Sequence, residues 1–230
     1  MITGSDGAGT VISCGSNGGS LVVVFGFMDQ TRDSRQELDV QPFLYAHASS
    51  NDVEALVQQC LEQLGPIPPE ATLGFLYATD RLGEELPRII ELLREVAPQL
   101  HWLGSVGMGI IASGREYYEE RALAIMVCDI PRDSFRLIPN CIEPDAGLAA
   151  ESAAWCRELG YCFGFLHAAP TYAATSSYLA DVHASLPASF INGGLSSAEG
   201  SSWQIADGLY SDGLSGVLFG PGVEIMTDHT

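Results

Sequence analysis

The sequence predicts an α/β fold with a mixed sheet, built from two duplicated β-α-β-loop-β-β units that lie about 90 residues apart. Short apolar runs alternate with stretches in which apolar residues recur at helical spacing, which is typical of α/β chains. The segment GFLYATD at 74–80 returns as GFLHAAP at 164–170. Further features return in the same order: the helix at 84–96 as 172–186, HWLGSVG at 101–107 as SFINGGL at 189–195, LAIMVCDI at 123–130 as SGVLFGPG at 215–222, and FRLI as VEIM.

The first unit opens with a predicted strand over 42–49, followed by a predicted helix over 51–64. Ser50 or Asn51 is expected to cap the start of this helix, and Gly65-Pro66 is expected to end it. The residues expected on its buried face recur every three or four positions. They are Val53, Leu56, Val57, Cys60, Leu61 and Leu64.

A buried strand is predicted over 72–79, and a second helix over about 84–96 carries Pro87 in its first turn. The next strand begins at HWLGS, 101–105. Two strands joined by a helix are expected to run parallel, with a right-handed crossover. The second helix is expected to bury Leu86, Ile89, Ile90, Leu93 and Val96.

The last two strands of each unit are predicted to form a hairpin. In the first unit these strands are 121–130 and 134–138, with a turn at Pro131. The connector 139–160 is expected to hold a helix that begins at Asp145. Whether the two units share one sheet or pack face to face stays open at this point.

The chain divides into two regions of different composition. Residues 1–40 are rich in glycine, serine and polar residues around one β-like run at 19–27, and we expect a poorly ordered extension there. Residues 41–230 are expected to form the folded domain, with halves at 41–140 and 141–230.

The charge balance excludes several functions. Twenty-nine acidic residues face ten basic ones, for a net charge of -19, and all the basic residues are arginine. Without lysine there is no Schiff-base or P-loop lysine chemistry. The negative charge argues against nucleic acid and against anionic membranes as partners. No apolar run is long enough to predict a membrane span, and no basic residue precedes Arg32 to start a signal peptide.

The six cysteines show neither a CxxC motif nor cysteine/histidine spacing for a metal. Cys60 and Cys128 lie inside apolar patterns and are expected in the core. We therefore expect no zinc site and no disulfide framework, and a reducing, cytoplasmic location.

The stretch HWLGSVGMGIIASGREYYEE at 101–120 is predicted to end a strand in a glycine-rich loop, with a counterpart in INGGLSSAEG at 191–200. Strand ends carry the ligands of open α/β sheets, and glycines there admit a close approach to a bound group. GSVGMG is not the dinucleotide pattern G-x-G-x-x-G, and no helix is predicted after it. The alternatives left open are a ligand-contacting loop and a structural turn.

Several of these segments together resemble the FIST N-terminal domain (F-box and intracellular signal transduction). The resemblance runs from about Gln41 to Thr230. It rests on the order of FLYAHAS, GFLYATD, HWLGSVGMGIIASGREYYEE, RALAIMVCDIPRDSFRL, the glycine pair of INGGLSSA, and DGLSGVLF.

The resemblance implies a sensory domain of bacterial signal transduction that binds a small ligand, such as an amino acid or a related metabolite, without a cofactor. Members of that family continue into a FIST C-terminal domain, whereas this sequence stops at Asp228-His229-Thr230. The resemblance therefore implies a stand-alone or truncated sensor half, with a signalling protein or a FIST C-terminal domain as partner.

The candidate ligand-binding residues are the polar and glycine residues at the ends of the predicted strands and in the two loops. For each the structural alternative is a cap, a turn, an exposed acidic loop or a packed core residue. They are Asp80, Gly104, Ser105, Gly107, Glu116, Tyr117, His167, Asn192, Gly193, Gly194 and Ser196.

Two other functions stay open on the sequence. One is a hydrolase that uses Ser105 or Ser196 with His167, which requires a serine within hydrogen-bond reach of an oriented base. The other is a protein-interaction module that docks a missing C-terminal domain through an exposed apolar patch.

Overall fold

Alternating strands and amphipathic helices build two β-sheets that pack face to face. The computed structural model describes residues 10–14, 43–141, 150–171, 173–186, 189–199 and 202–227. The helices are α1 (Val53–Leu64), α2 (Leu86–Val96), α3 (Ala150–Leu159) and α4 (Thr175–Ser185), with a 3-10 turn at Asp80–Glu85 before α2. The strands are β1 (Thr10–Cys14), β2 (Leu44–Ser49), β3 (Leu73–Thr79), β4 (His101–Gly107), β5 (Gly109–Ala112), β6 (Arg115–Tyr118), β7 (Ala122–Cys128), β8 (Phe135–Cys141), β9 (Phe163–Ala168), β10 (Phe190–Leu195), β11 (Gln204–Ala206), β12 (Leu209–Tyr210), β13 (Leu214–Phe219) and β14 (Val223–Thr227).

Each sheet is mixed, as the sequence predicts. The first sheet has the strand order β12-β11-β4-β3-β7-β2, and the second has the order β10-β9-β13-β8. In the first sheet β3 and β4 are parallel, and in the second β9 and β10 are parallel, while the other pairings are antiparallel. The hairpin β5–β6 and the pair β1–β14 stand outside these two sheets.

Three apolar clusters give the domain four layers, helices on the outside and sheets within. The first cluster joins α1 and α2 to one face of the first sheet through residues such as Leu56, Ile89 and Leu76. The third joins α3 and α4 to the outer face of the second sheet in the same way. The second lies between the two sheets, and its largest side chains are aromatic: Phe75, Phe135, Phe163, Phe165 and Phe219. The two sheets therefore share the central core.

The two sheets repeat one arrangement. The order β4-β3-β7-β2 in the first sheet matches β10-β9-β13-β8 in the second, with the same strand directions. The equivalent residues Phe75 and Phe165 meet across the core with ring centroids 6.4 Å apart. Contacts between equivalent residues are what a two-fold relation produces. The duplication itself stays a prediction, and this arrangement supports it.

The predicted hairpins are wrong in both units. β7 lies in the first sheet, whereas β8 lies at the edge of the second sheet and pairs with β13. In the same way β13 pairs with β8 and β9, and β14 pairs with β1. The short turns after β7 and β13 therefore carry the chain out of a sheet rather than back along it. As a result β8 takes the place in the second sheet that β2 takes in the first.

The N-cap of the first helix is Asp52, not the predicted Ser50 or Asn51. The Asp52 carboxylate accepts a hydrogen bond of 2.7 Å from the backbone N–H of Ala55. The predicted end at Gly65 is confirmed, since this glycine has φ +68° and its N–H donates to the carbonyl of Leu61. The predicted buried faces are confirmed apart from Leu61, which is half-buried, and Val96, which is 57% exposed at the last residue of α2.

Replacing Asp52 with alanine is expected to lower the free energy of unfolding by about 1 kcal/mol, because loss of the cap leaves the N–H of Ala55 unpaired. Urea unfolding followed by circular dichroism measures the difference. Asp52→Asn keeps a capping oxygen and is expected to retain most of the stability. Equal losses in the two variants would contradict a capping role.

The expectation of no disulfide is wrong, because Cys156 and Cys162 form one. Between them Gly160 adopts φ +75° and turns the chain from α3 toward β9, which brings the two Cα atoms to 5.6 Å. The cysteine spacing alone shows no such turn, and a cytoplasmic location no longer has support from the cysteine pattern. Cys60 and Cys128 are buried, as predicted.

Within the first 40 residues the structure describes only β1, which pairs antiparallel with β14. The β-like run at 19–27 lies outside the described residues, as does the predicted helix start at Asp145. In the described part of the chain, no helix combines the length and the apolar character that a membrane crossing requires.

Candidate functional site

The predicted glycine loops are strands. Strand β4 continues through Gly107, and Gly109 starts the hairpin β5–β6. In the second unit Asn192, Gly193 and Gly194 all lie within β10. Gly104 sits in the middle of the first sheet, opposite Leu76 of β3 and Ile205 of β11. Its backbone is therefore placed for sheet pairing on both sides rather than for a ligand.

Polar side chains form a row across the inner face of the first sheet. Gln204 of β11 lies opposite Ser105 of β4, and Ser105 lies opposite Tyr77 of β3. Tyr77 and Ser105 each lie two positions after a residue of the central core, Phe75 and Leu103. Residues two positions apart share one face of a strand, so Tyr77 and Ser105 face the second sheet. Ser105 is 8% exposed and Gln204 is fully buried. We call these three residues the first polar row.

A shorter polar pair faces this row from the second sheet. His167 of β9 lies opposite Ser215 of β13 and opposite Gly194 of the edge strand β10. His167 and Ser215 each lie two positions from a residue of the central core, Phe165 and Val217 respectively. They therefore share its face of the sheet and point inward. The His167 imidazole meets the first row directly, with its Nε2 atom 3.0 Å from the Tyr77 hydroxyl. The first polar row, His167 and Ser215 together form what we call the inter-sheet site.

Three buried polar atoms of the inter-sheet site have no hydrogen-bond partner among the described residues. They are His167 Nδ1, Ser215 Oγ and Gln204 Oε1. Leaving such a group unpaired costs roughly 1–3 kcal/mol, so native folds seldom retain several together. Ser196, just after β10, adds a fourth unpaired atom, its Oγ. These atoms offer hydrogen bonds that the fold itself does not use.

Burial keeps the inter-sheet site uncharged. It lowers the pKa of His167 to about 4, so this imidazole is neutral near pH 7. Burial also raises the pKa of the Tyr77 hydroxyl, which stays protonated. A neutral imidazole has one N–H donor and one acceptor nitrogen, and Tyr77 occupies Nε2. The remaining ring nitrogen, Nδ1, is a single donor or acceptor that faces the polar space.

The edge strand β10 leaves an opening beside His167. Gly194 is exposed, and a Cβ atom built on it meets no heavy atom within 4 Å. Because Gly194 lies opposite His167, this open space adjoins the strand position of the imidazole. The neighbouring Gly193 is different, because a Cβ there would lie 1.9 Å from the carbonyl oxygen of Leu166.

The structure gives three predicted site residues local structural roles. The Asp80 carboxylate accepts a hydrogen bond of 3.0 Å from the N–H of Glu199 and so fixes the loop after β10. The Asn192 side chain accepts one of 2.7 Å from the N–H of Gly193. A Cβ atom at Gly107 would meet Ser197 Oγ at 3.0 Å. These contacts match turn and packing functions.

Two further candidate ligand-binding residues, Glu116 and Tyr117, lie on strand β6 and differ in burial. Glu116 is exposed, whereas Tyr117 is buried and its hydroxyl lies 2.5 Å from Nδ1 of His47. Burial, and secondarily the charge of Arg115, lower the pKa of His47. Tyr117 thus fastens the hairpin to β2.

Sequence reasoning missed Tyr77, Gln204, Ser215 and His47. The repeat places Tyr77 opposite His167 in the alignment of GFLYATD with GFLHAAP, and that pairing was the available signal for Tyr77. Gln204 and Ser215 carry no such signal, because their position depends on how the sheets stack. Among the residues that the sequence predicted, the structure brings Ser105 and His167 to the inter-sheet site, with Gly194 beside it.

The geometry does not support a serine hydrolase. In the described residues neither Ser105 nor Ser196 hydrogen-bonds to an imidazole, and His167 Nδ1 has no carboxylate to orient it. The described part of the chain also contains no group of three histidine, cysteine, aspartate or glutamate side chains placed to hold a metal ion.

Two open depressions lie away from the inter-sheet site. One, of about 540 Å³, includes His101 and Arg132, and its neighbour, of about 560 Å³, includes Glu95 and Leu209. Neither is lined by a candidate ligand-binding residue from the sequence analysis, and both are wide open to solvent. We regard the inter-sheet site as the primary one, because its unpaired atoms are buried.

Two similar α/β layers stacked sheet on sheet, with a buried uncharged polar site between them, define a four-layer α/β domain. The chain belongs to the family of the FIST N domain, whose family model matches residues 72–230. That match starts at β3, so β2 and α1 precede it. FIST domains are sensory domains of signal transduction, which makes a sensory role the general function of this chain. A search of the curated proteins finds no match.

Proposed function

We propose that this sensory domain binds a small molecule in the inter-sheet site. The observation that carries the proposal is the set of unpaired buried atoms, His167 Nδ1, Ser215 Oγ and Gln204 Oε1, on facing sheets. A ligand that hydrogen-bonds to them recovers free energy that the fold alone leaves unused. The opening at Gly194 gives it a route.

The proposed ligand is an amino acid or a related metabolite. The five side chains of the inter-sheet site are uncharged in their buried state, so they suit an amide, hydroxyl or other neutral polar group. The charged ammonium and carboxylate groups of an amino acid would then lie toward Gly194 and water. Binding at the contact between the two sheets would couple the ligand to their relative packing, which is a physical basis for signalling.

Thermal unfolding against a panel of amino acids and related metabolites tests the proposal. A ligand at 100 times its Kd adds about 2.7 kcal/mol to the free energy of unfolding. For a domain of this size that raises the Tm by roughly 5–10 °C. If no member of a broad panel raises the Tm, the small-ligand function loses its support.

The variant Ser215→Ala separates a binding role from a structural one. Because the Ser215 hydroxyl is buried and unpaired, its removal is expected to leave the ligand-free Tm unchanged or to raise it. The same variant is expected to reduce the ligand-induced shift by at least half. Ser176→Ala, on the exposed face of α4, is the matched control and should leave both values unchanged. A lower ligand-free Tm for Ser215→Ala would show that the hydroxyl stabilises the fold.

A docking function is the second candidate, and the edge strand β10 favours it. Phe190 and Leu195 on this strand are 42% and 61% exposed. An edge strand with apolar side chains is a place where another chain adds a strand. Light scattering coupled to size-exclusion chromatography tests self-association through this edge, and a monomer at high concentration would count against a second copy as the partner.

A further inference from the structure

Two arginines that form no ion pair with another described residue line one depression near the start of β4. This depression, of about 540 Å³, is lined in part by Arg94, Arg132 and His101. His101 precedes Ser105 by four residues, or about 13 Å along an extended strand. The depression therefore lies at the other end of the strand from the inter-sheet site, and the proposed sensory function does not use it.

Five of the described arginines form no ion pair, and Arg94 and Arg132 are two of them. Arg88, Arg115 and Arg121 each pair with glutamate. Arg94 and Arg132 form no ion pair among the described residues, although the chain has 29 acidic side chains. Arg94 instead donates a hydrogen bond to the backbone carbonyl of Asp207. Two guanidinium groups on one concave surface outnumber the single carboxylate there, that of Asp207, and so favour an anion.

Asp207 holds the third basic group of the depression in place. Its carboxylate contacts His101 Nδ1 through one oxygen and accepts a 3.0 Å hydrogen bond from the N–H of Trp102 through the other. The residue has φ +55°, a conformation that costs roughly 1 kcal/mol or more and that these contacts sustain. A carboxylate on one ring nitrogen of a histidine fixes the orientation of the other. His101 therefore keeps Nε2 for a different partner.

We propose that Arg94, Arg132 and His101 bind a small oxyanion, the phosphate or carboxylate group of a metabolite. Guanidinium groups recognise both through paired N–H donors, and the His101 imidazole adds one more from Nε2 when both of its ring nitrogens carry a proton. The volume of the depression lies in the range of small-molecule sites. Glu91 and Glu95 line the neighbouring depression next to Arg94, so the anion binds on the Arg132 side, away from these carboxylates.

Titration of the full chain with inorganic phosphate, and separately with succinate, tests this site by NMR at constant ionic strength. Saturable shifts of the His101 and Thr72 signals are expected, with a Kd on the order of 1 mM. The double variant Arg94→Gln/Arg132→Gln is expected to weaken binding at least about tenfold. The matched control Arg81→Gln/Arg157→Gln removes the same two charges from exposed positions and should change the Kd less than about twofold.

These outcomes distinguish a specific anion-binding site from nonspecific electrostatic attraction of the anion to arginine side chains. Equal weakening in the two double variants, or no saturation with either anion, would overturn the proposal. Saturation with phosphate alone would assign a phosphate site, and saturation with succinate alone a carboxylate site. Ser215→Ala should leave the titration unchanged, so the proposed sensory function and this site can fail independently.

Discussion

Replacing Gly104 with alanine is expected to destabilise the fold strongly. A Cβ atom at this position would lie 1.7 Å from the carbonyl oxygen of Leu76, on the adjacent strand β3. Backbone in the middle of a six-stranded sheet has little freedom to move away, so the strands must separate. The expected loss exceeds about 3 kcal/mol, which lowers the Tm by roughly 6–12 °C.

Two further glycine variants make this test specific. A Cβ atom at Gly193 would lie 1.9 Å from the carbonyl oxygen of Leu166, so Gly193→Ala is expected to cost as much as Gly104→Ala. Gly194 has no heavy atom within 4 Å of its added Cβ, and Gly194→Ala should stay within about 0.5 kcal/mol of the natural chain. Calorimetry of the three variants gives the comparison. If Gly104→Ala has the same Tm as the natural chain, the backbones of β3 and β4 are not as close as the structure places them.

The second large effect is a loss of stability in acid that comes from His167. Burial lowers the pKa of this imidazole from the ordinary 6.5 to about 4. As the pH falls, the unfolded chain therefore takes up the proton first, and the folded state is disfavoured. The contribution is fully present above about pH 6.5 and is lost progressively down to about pH 4, for a total of about 3 kcal/mol.

Urea unfolding at several pH values measures this contribution as a difference between variants. His167→Gln removes the titrating group and is expected to show a flatter decline in stability from pH 6.5 to 4 than the natural chain. His183→Gln, on an exposed position of α4, is the control for loss of a histidine. Acidic side chains titrate in the same range in all three proteins, so only the difference reports on His167. Parallel curves for the natural chain and His167→Gln would contradict a buried neutral imidazole.

The same measurement bears on ligand binding. Because the ligand is proposed to meet the neutral form of His167, protonation below about pH 4 should also abolish binding. Between pH 5 and 7 binding should change little, since burial keeps the imidazole neutral throughout. A steep loss of affinity near pH 6.5 would show that His167 titrates like an exposed histidine when the ligand is present.

Local sequence patterns predicted most elements because helix and strand periods depend on neighbouring residues. The helical spacing of Leu56, Cys60 and Leu64 predicted the buried face of α1, and Gly65 predicted its end. The repeat of GFLYATD as GFLHAAP predicted β3 and β9 as corresponding strands. Capping was less certain, because Ser50, Asn51 and Asp52 are all competent caps and only the helix geometry selects Asp52.

The glycines of the predicted loops show where local pattern misleads. Glycine usually indicates a turn, yet Gly104 and Gly193 lie inside strands because neighbouring backbones approach too closely for a side chain. That requirement comes from the adjacent strand, about 28 residues earlier in the chain in each case, and no short window contains it. The two predicted glycine-rich loops are therefore parts of a central strand and of an edge strand.

The sequence by itself determined the α/β class, the order of the longer helices and strands, the acidic charge and the resemblance that the family match confirms. Only the tertiary structure decided that β7 and β8 separate into different sheets, and that the sheets meet face to face. The inter-sheet site depends on that stacking, because Tyr77 and His167 lie 90 positions apart and meet only across the core. The period of the apolar residues indicates which face of a strand is buried. Long-range packing decides which other element covers that face.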